Sequence, residues 1–480
     1  MIYLIILALI ILVPLLFIMY KSIGKNKSDL SLVADAPKHA TVTQYVSPDW
    51  VRDTVIYQIN TRVFSSEGTF KAVEAHLPRI KDLGVDVLWL MPIFPISEKN
   101  RKVEPENENE AFGSPYAASD FLKIHPSFGT ESDLHSLIKA IHANGMKVVL
   151  DFVPNHTGWD GDWIENHPDW YVQKNGVIQP VTSDQGEVWA DIAQLDLTNK
   201  EMREAWMQVH EYWLTEFNFD GFREDCAWAI PKDYWSELRT RLDKIKPVFM
   251  LAEDEVHGRE QFEVCFEANY GWGTHHFMKQ IAKGGSATLL YKHTEEYKQQ
   301  HGTLGWQMNF TQNHDENTWH GSETDLFGAG ADCFTALIFV IEGMPLIYNG
   351  QEVSLDKRLN FFHDDEIDWS GTSRAEFFKK LVDLKHNERA LWNGMYGAPL
   401  EKIENSKENQ VYSFRRRYYK DGYHSNVVCI FNLSDKPAKI ILALGKRDEQ
   451  LTDYFTNQEM TIDSKETISL KPYEYKILLG

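Results

Sequence analysis

The sequence predicts a (β/α)8 barrel followed by a small all-β domain, and three observations carry that prediction. Four short acidic stations recur in order: Asp151-Phe-Val-Pro-Asn-His156, Gly221-Phe-Arg-Glu-Asp225, Leu251-Ala-Glu253 and Gln312-Asn-His-Asp315. Each sets a carboxylate at the end of a short apolar run, where such a barrel displays its functional groups. Strand-like and helix-like segments alternate from about residue 49 to 398, as in parallel α/β folds. From about Pro399 the pattern changes to short alternating runs separated by turns.

The strand candidates are 55–60, 87–91, 147–153, 221–225, 248–253, 264–267, 307–312 and 345–349. Amphipathic helices lie between several of them, such as 131–144, closed by Gly145, and 200–217. Eight strands favour a closed barrel, although counting alone does not separate it from an open doubly wound sheet. Residues 155–198 form an insert far longer than a usual βα loop. It carries Trp159, Trp163, Trp170, Tyr171 and Trp189, more of them expected to pack than to meet a ligand. The barrel is thus expected over 49–154 and 199–398. The β-sandwich is expected over 399–480, with strands at 410–416, 426–432 and 467–470 and turns at Asp421-Gly and Ser434-Asp.

Composition narrows the class further. The chain has 480 residues and a formal net charge of −21, which argues against a nucleic-acid partner because phosphates would be repelled. The cysteines, Cys226, Cys265, Cys333 and Cys429, show no metal-ligand spacing and read as reduced, mostly buried thiols. Residues 2–20 are an uninterrupted apolar run reaching roughly 28 Å at helical rise. They read as a transmembrane anchor over 1–22, joined by a linker over 23–48. A cleaved signal peptide fits less well, because no basic segment precedes the run and the small-x-small site Ala34-Asp-Ala36 lies far downstream. Lys21, Lys25 and Lys27 would hold their side of the run in the cytoplasm, but long domains often translocate regardless. The expectation is a membrane-anchored protein with an extracytoplasmic catalytic domain.

The stations permit one chemistry well. Breaking a glycosidic bond needs a carboxyl that donates a proton and a second that captures the positive sugar carbon. Asp225 and Glu253, at the ends of consecutive strands, would share one rim. Arg223, two residues before Asp225 and on the same strand face, can keep that carboxylate ionised. Glu253 would need a raised pKa to protonate a leaving oxygen near neutral pH. Asp315, preceded by His314, would grip sugar hydroxyls. A lone aspartate at a strand end is more often a cap, yet four in order, with His156, Arg223 and His314 beside them, are not explained by capping.

Those stations, together with Gly84-Val-Asp-Val-Leu-Trp-Leu-Met-Pro92, Gln194-Leu-Asp-Leu-Thr198 and Gly343-Met-Pro-Leu-Ile-Tyr-Asn-Gly-Gln-Glu352, resemble the conserved regions of the α-amylase family, glycoside hydrolase family 13. The resemblance implies Asp225 as nucleophile, Glu253 as general acid/base and Asp315 as transition-state stabiliser. It also implies that His156, Arg223 and His314 line the sugar subsite at the cleavage point, with Asp151 in support and Tyr116 stacked on the sugar. Many members have a Lys-His pair where this chain has Trp228 and Ala229, so Trp228 is expected to replace a polar contact by stacking. Calcium held by Asn155, Asp196 and the Ala229 carbonyl is a further implication, since oxygen ligands suit that ion.

The expected activity is retaining hydrolysis of α-1,4-linked glucans or malto-oligosaccharides through a covalent glucosyl-enzyme. Transglycosylation and α-1,6 cleavage are variants of the same chemistry. A membrane-anchored, non-catalytic scaffold like the heavy chains of amino-acid transporters is a different class, and the intact acids argue against it. A starch-binding module without catalysis is a third.

Overall fold

The computed structural model describes residues 45–480 except 103–111, 184–185, 421, 444–448 and 463–465. The expected membrane helix lies outside the described residues, as does Asp421 of the expected turn. Among the described residues, no helix is long and apolar enough to cross a membrane.

Eight parallel strands close into a barrel: β1 (Ile56–Ile59), β2 (Val87–Leu90), β3 (Lys147–Phe152), β4 (Gly221–Glu224), β5 (Phe249–Ala252), β6 (Ala268–Tyr270), β7 (Trp306–Asn309) and β8 (Met344–Tyr348). Each pairs with its sequence neighbours, and β8 returns to β1. Closure decides against the open-sheet alternative. The strands alternate strictly. Ile56, Val87, Trp89, Val149, Phe249, Leu251, Tyr270 and Met308 fill the barrel interior, while Tyr57, Leu88, Leu150, Phe152, Phe222 and Met250 pack outward into the helical layer. This period of two places Asp151, Arg223, Asp225 and Glu253 on the inward side.

Seven of the strands form where the apolar runs predict them. The sixth does not: β6 is Ala268–Tyr270, displaced past the expected 264–267. Val264 ends the helix Gly258–Val264, and Glu267 turns its side chain to Arg239 and to the Met250 N–H. The apolarity of Val264, Cys265 and Phe266 therefore belongs to the helix–barrel contact. The helices Glu131–Ala143, with a Thr130–Asp133 capping box, and Lys200–Glu216, capped by Asn199, fall within one residue of expectation.

In the insert, strands His156–Thr157, Val188–Gln194 and Pro180–Thr182 form an antiparallel sheet in that order. Its aromatics divide as expected. Trp163 and Trp170 pack edge-on with each other and Trp163 also on Trp206, and the Trp159 indole donates to the Ala190 carbonyl at 2.9 Å. Trp189 alone of the five faces the cleft.

The C-terminal residues form a six-stranded antiparallel sheet and a two-stranded one, Ala438–Ile440 with Ile468–Leu470. Val411–Lys420 and Tyr423–Asn432 make its long hairpin, with Lys420 opposite Tyr423. Val411, Val428, Ile430, Ile440, Leu470 and Leu478 form its core. All four cysteines are buried and free.

Candidate active site

The site begins with the ladder hydrogen bonds at the barrel rim. The Asp225 N–H donates to the Phe152 carbonyl at 2.8 Å, and the Glu253 N–H to the Glu224 carbonyl at 3.0 Å. Both acids therefore hold strand geometry one residue past β4 and β5, and both point inward by parity. Glu224, between Arg223 and Asp225, points outward instead and meets His210 Nε2 at 3.1 Å.

Arg223 is the centre of the arrangement and is fully buried. Its Nη1 donates to Asp151 Oδ1 at 2.7 Å and to Asp225 Oδ1 at 2.8 Å, its Nε donates to the Tyr270 hydroxyl at 3.0 Å, and Nη2 lies 3.2 Å from Glu253 Oε2. The guanidinium carbon stands 5.4 to 5.5 Å from the rings of Trp89, Tyr116 and Tyr270, a π-lined cage for a delocalised cation. Asp151 Oδ2 accepts from the Trp89 indole at 3.1 Å and the Tyr116 hydroxyl at 3.0 Å. Asp151 thus stands behind Arg223 and is closed off from the cleft, whose lining does not include it.

The remaining expected residues converge on the same place. His314 contacts Gln58 through Nδ1 at 2.7 Å and the Tyr116 hydroxyl through Nε2 at 2.7 Å, and stacks on the Tyr116 ring at 5.4 Å. His156 Nε2 lies 3.2 Å from the Tyr116 carbonyl. Asp315 comes directly after His314, with its Oδ2 3.4 Å from His314 Nε2. Tyr116, His156, Asp225, Glu253, His314 and Asp315 line one cleft of about 440 Å³. A carboxylate oxygen of Asp225, the Cys226 sulfur and a carboxylate oxygen of Glu253 all lie within 4.8 Å of one another.

One arginine cannot keep four clustered carboxyls ionised, and the protonation pattern is uneven. Burial would raise the Asp225 carboxyl, but the charge and hydrogen bond of Arg223 outweigh it and hold it below the ordinary aspartate value. Burial drives Glu253 well above the ordinary glutamate value; Arg223 opposes this, while Asp225 and Asp315 add to it. Burial also lifts Asp151 to about 7 and Asp315 to about 6, each against the pull of Arg223. His314 and His156 are both pushed down by burial and stay neutral. A carboxylate facing a protonated carboxyl at this separation is the pairing that nucleophilic displacement with proton donation requires.

Trp228 is not brought to this cleft. It sits in the short turn Ala227–Ala229, 38% exposed, and is not among the lining residues.

The oxygen set expected for calcium holds a protein donor. Gln194 Nε2 donates to Asn155 Oδ1 at 3.0 Å, to the Asn155 carbonyl at 3.1 Å and to the Leu195 carbonyl at 3.2 Å. Asp196 Oδ1 accepts from the Thr198 N–H and hydroxyl. Calcium needs six to eight oxygens at 2.3–2.6 Å, and an amide N–H donor aimed at both oxygens of Asn155, one of the three expected ligands, does not fit an ion at that residue.

Several contributors were outside sequence reasoning. Trp89, Gln58 and Tyr270 carry a signal in strand parity, since each occupies an inward position of its strand. Trp319, Phe361 and Phe362 come from loops after β7 and β8 and carry none beyond being aromatic.

A barrel with a caged arginine, an ionised and a protonated carboxyl facing each other and a third acid beside them is the site of a glycoside hydrolase. The family model described as "Alpha amylase, catalytic domain" matches residues 40–395, and the chain belongs to that family. It is 26% identical over 424 residues to Alpha-amylase MalA of Haloarcula japonica, covering 84% of this chain and 58% of that one. A Cyclomaltodextrinase of Geobacillus thermopakistaniensis is 25% identical over 491 residues, covering 90% and 78%. Among solved structures, an alpha-amylase from Lactobacillus plantarum superposes with a TM-score of 0.77 at 25% identity, covering 89% and 98%.

Proposed function

We propose that the chain is a retaining glycoside hydrolase cleaving α-1,4-glucosidic bonds of starch-type glucans or malto-oligosaccharides. The observation that carries this reading is the close approach of the Asp225 and Glu253 carboxyl groups, the first held below its ordinary value by Arg223 and the second raised by burial. Retaining enzymes hold their two carboxyl groups about 5–5.5 Å apart, whereas inverting ones leave about 6.5–9.5 Å for a water. In the first step an Asp225 oxygen bonds to the anomeric carbon while Glu253 gives its proton to the departing glycosidic oxygen. In the second, Glu253 takes a proton from water, whose oxygen displaces Asp225 and regenerates both groups. Arg223 keeps Asp225 anionic, and Tyr116, His156, His314 and Asp315 surround the sugar under attack. The names of the alpha-amylase and cyclomaltodextrinase relatives agree with an α-glucan substrate.

A time-resolved product profile on maltoheptaose, isomaltose, pullulan and starch tests this. Release of shorter α-1,4 fragments, lost in Asp225→Asn, is the expected result. Cleavage of isomaltose alone would assign α-1,6 specificity, and products longer than the substrate would assign transglycosylation. No turnover of any of them, with a stable membrane partner, would favour the scaffold.

The apolar run at residues 2–20 anchors the chain in this proposal, its length supporting a span, with the barrel on the extracytoplasmic side, since long domains translocate regardless of flanking lysines. Recovery of the full chain from the wash rather than the membrane pellet after carbonate extraction would count against it. Gln194 holds the start of the insert in place of a divalent ion.

A further inference from the structure

We propose that Trp319 is a further substrate-contacting residue, stacking on a glucosyl unit next to the one under attack. This rests on the hydrolase reading for the identity of the ligand. Asp315 leads into a single π-helical turn, Glu316–His320, closed by the Gly321 N–H donating to the Glu316 carbonyl at 3.1 Å. Such turns are rare and concentrate at functional sites. This one carries the Trp319 side chain into the cleft, 46% exposed.

Three side chains, Lys279, Asn317 and Arg358, hold the turn. Lys279 Nζ donates to Glu316 Oε2 at 2.8 Å. Asn317 Nδ2 donates to the Lys357 carbonyl at 3.0 Å and its Oδ1 accepts from the Leu359 N–H at 2.8 Å. Arg358 Nε donates to the Thr318 carbonyl at 2.7 Å. A loop fixed this thoroughly around an exposed tryptophan presents that ring in one orientation, as a binding platform requires.

The ring also continues a row of aromatics. Trp319 meets Phe361 at 5.4 Å and Phe362 at 6.0 Å, Phe361 lies parallel to Tyr116 at 6.2 Å, and Tyr116 stacks on His314. The row runs from the rim to the reacting carboxylates. Its outer end has an open face, and the apolar C–H face of a pyranose is the surface that stacks on such a ring. Trp228, also exposed, does not have the cleft position.

Two substitutions separate an aromatic platform from a merely structural side chain. For maltoheptaose, Trp319→Ala is expected to raise KM about tenfold, the scale of one aromatic stack, while Trp319→Phe, which keeps the aromatic face, leaves KM within about threefold. A merely structural role would lower kcat for both variants and leave the KM values alike, which would overturn the proposal. Calorimetry of maltoheptaose binding to the Glu253→Gln protein, with and without Trp319→Ala, reads the platform without turnover. About tenfold weaker binding supports it; equal affinities, or no binding to either protein, overturn it. Loss of hydrolysis in the unaltered enzyme with this binding difference intact would defeat the hydrolase reading alone.

Discussion

The backbone N–H of Cys226 donates to Glu253 Oε2 at 2.8 Å, so the residue directly after Asp225 in the chain also orients the carboxyl across the cleft. Cys226 does this from a left-handed backbone conformation, φ 48° and ψ 38°, which a side-chain-bearing residue adopts at a cost of about 1–2 kcal/mol. Backbone strain next to reacting groups persists where the surroundings impose it. The two acids are therefore positioned by one short piece of chain as well as by Arg223.

The thiol of Cys226 takes no part in that arrangement. Burial pushes it well above the ordinary cysteine value, and Asp225 and Glu253 push it further, so it stays protonated and non-nucleophilic. Cys226→Ala is expected to keep kcat/KM within about twofold, because the backbone donor is retained, and iodoacetamide should leave the folded wild type active. Inactivation by alkylation at Cys226, or a hundredfold loss in the alanine variant, would contradict this.

The pH profile reflects the split between the two acids. Asp225, held below its ordinary value, must be ionised to attack, so activity is lost as pH falls through its pKa. Glu253, held well above its ordinary value, must be protonated, so activity is lost as pH rises through its own. Arg223 lowers both, and Arg223→Met should move the surviving activity toward higher pH on both limbs. It should also destabilise the fold by about 3–5 kcal/mol, the cost of leaving buried partners uncompensated. Rate profiles and urea unfolding of the variant check the two effects separately.

Stability carries the same sign. A glutamate whose folded pKa is raised contributes stability that is present below its unfolded value and is lost as pH rises through the folded one. Glu253→Gln removes that loss. The variant should be inactive yet more stable than wild type at pH 7, by about 0.5–2 kcal/mol, as relief of functional strain commonly gives. The difference should shrink at pH 4, and an equal Tm for both proteins at pH 7 would show that the charge cluster costs nothing.

Much of this site was readable before the fold, and the reason is periodicity. A strand with a period of two fixes which side of the barrel a residue faces, so Arg223 and Asp225 could be placed on one face from spacing alone, and Glu224 excluded from it. Closure into a barrel then brings Asp151, Glu253 and Asp315 to the same rim. Where periodicity fails, legibility fails with it. β6 has three residues, Ala268–Tyr270, too few to show alternation beside the more apolar Val264-Cys-Phe, whose side chains serve a helix. Trp228 and Trp319 look alike in the sequence, each a few residues after a catalytic candidate, and only the path of the loop decides that Trp319 enters the cleft. Calcium ligation turns on a similar point: the ligand types are visible in the sequence, but the contact of the Gln194 amide with the Asn155 oxygens follows only from the fold.

Gln194 therefore makes the last expectation a sharp one. Its amide nitrogen supplies hydrogen bonds to three oxygens from Asn155 and Leu195, joining the end of the β3 station to the end of the insert. A chain dependent on calcium there would lose thermal stability and activity under chelation, whereas hydrogen bonds from a side-chain amide are indifferent to it. Dialysis against excess chelator should leave Tm and kcat unchanged, and added calcium should restore nothing. Gln194→Ala should cost about 1–3 kcal/mol, because buried carbonyl oxygens lose their donor, with the loss falling on the insert that carries His156 and Trp189. A fall in Tm on chelation, reversed by calcium, would mean that the amide yields to the ion and that Asn155 and Asp196 are ligands after all.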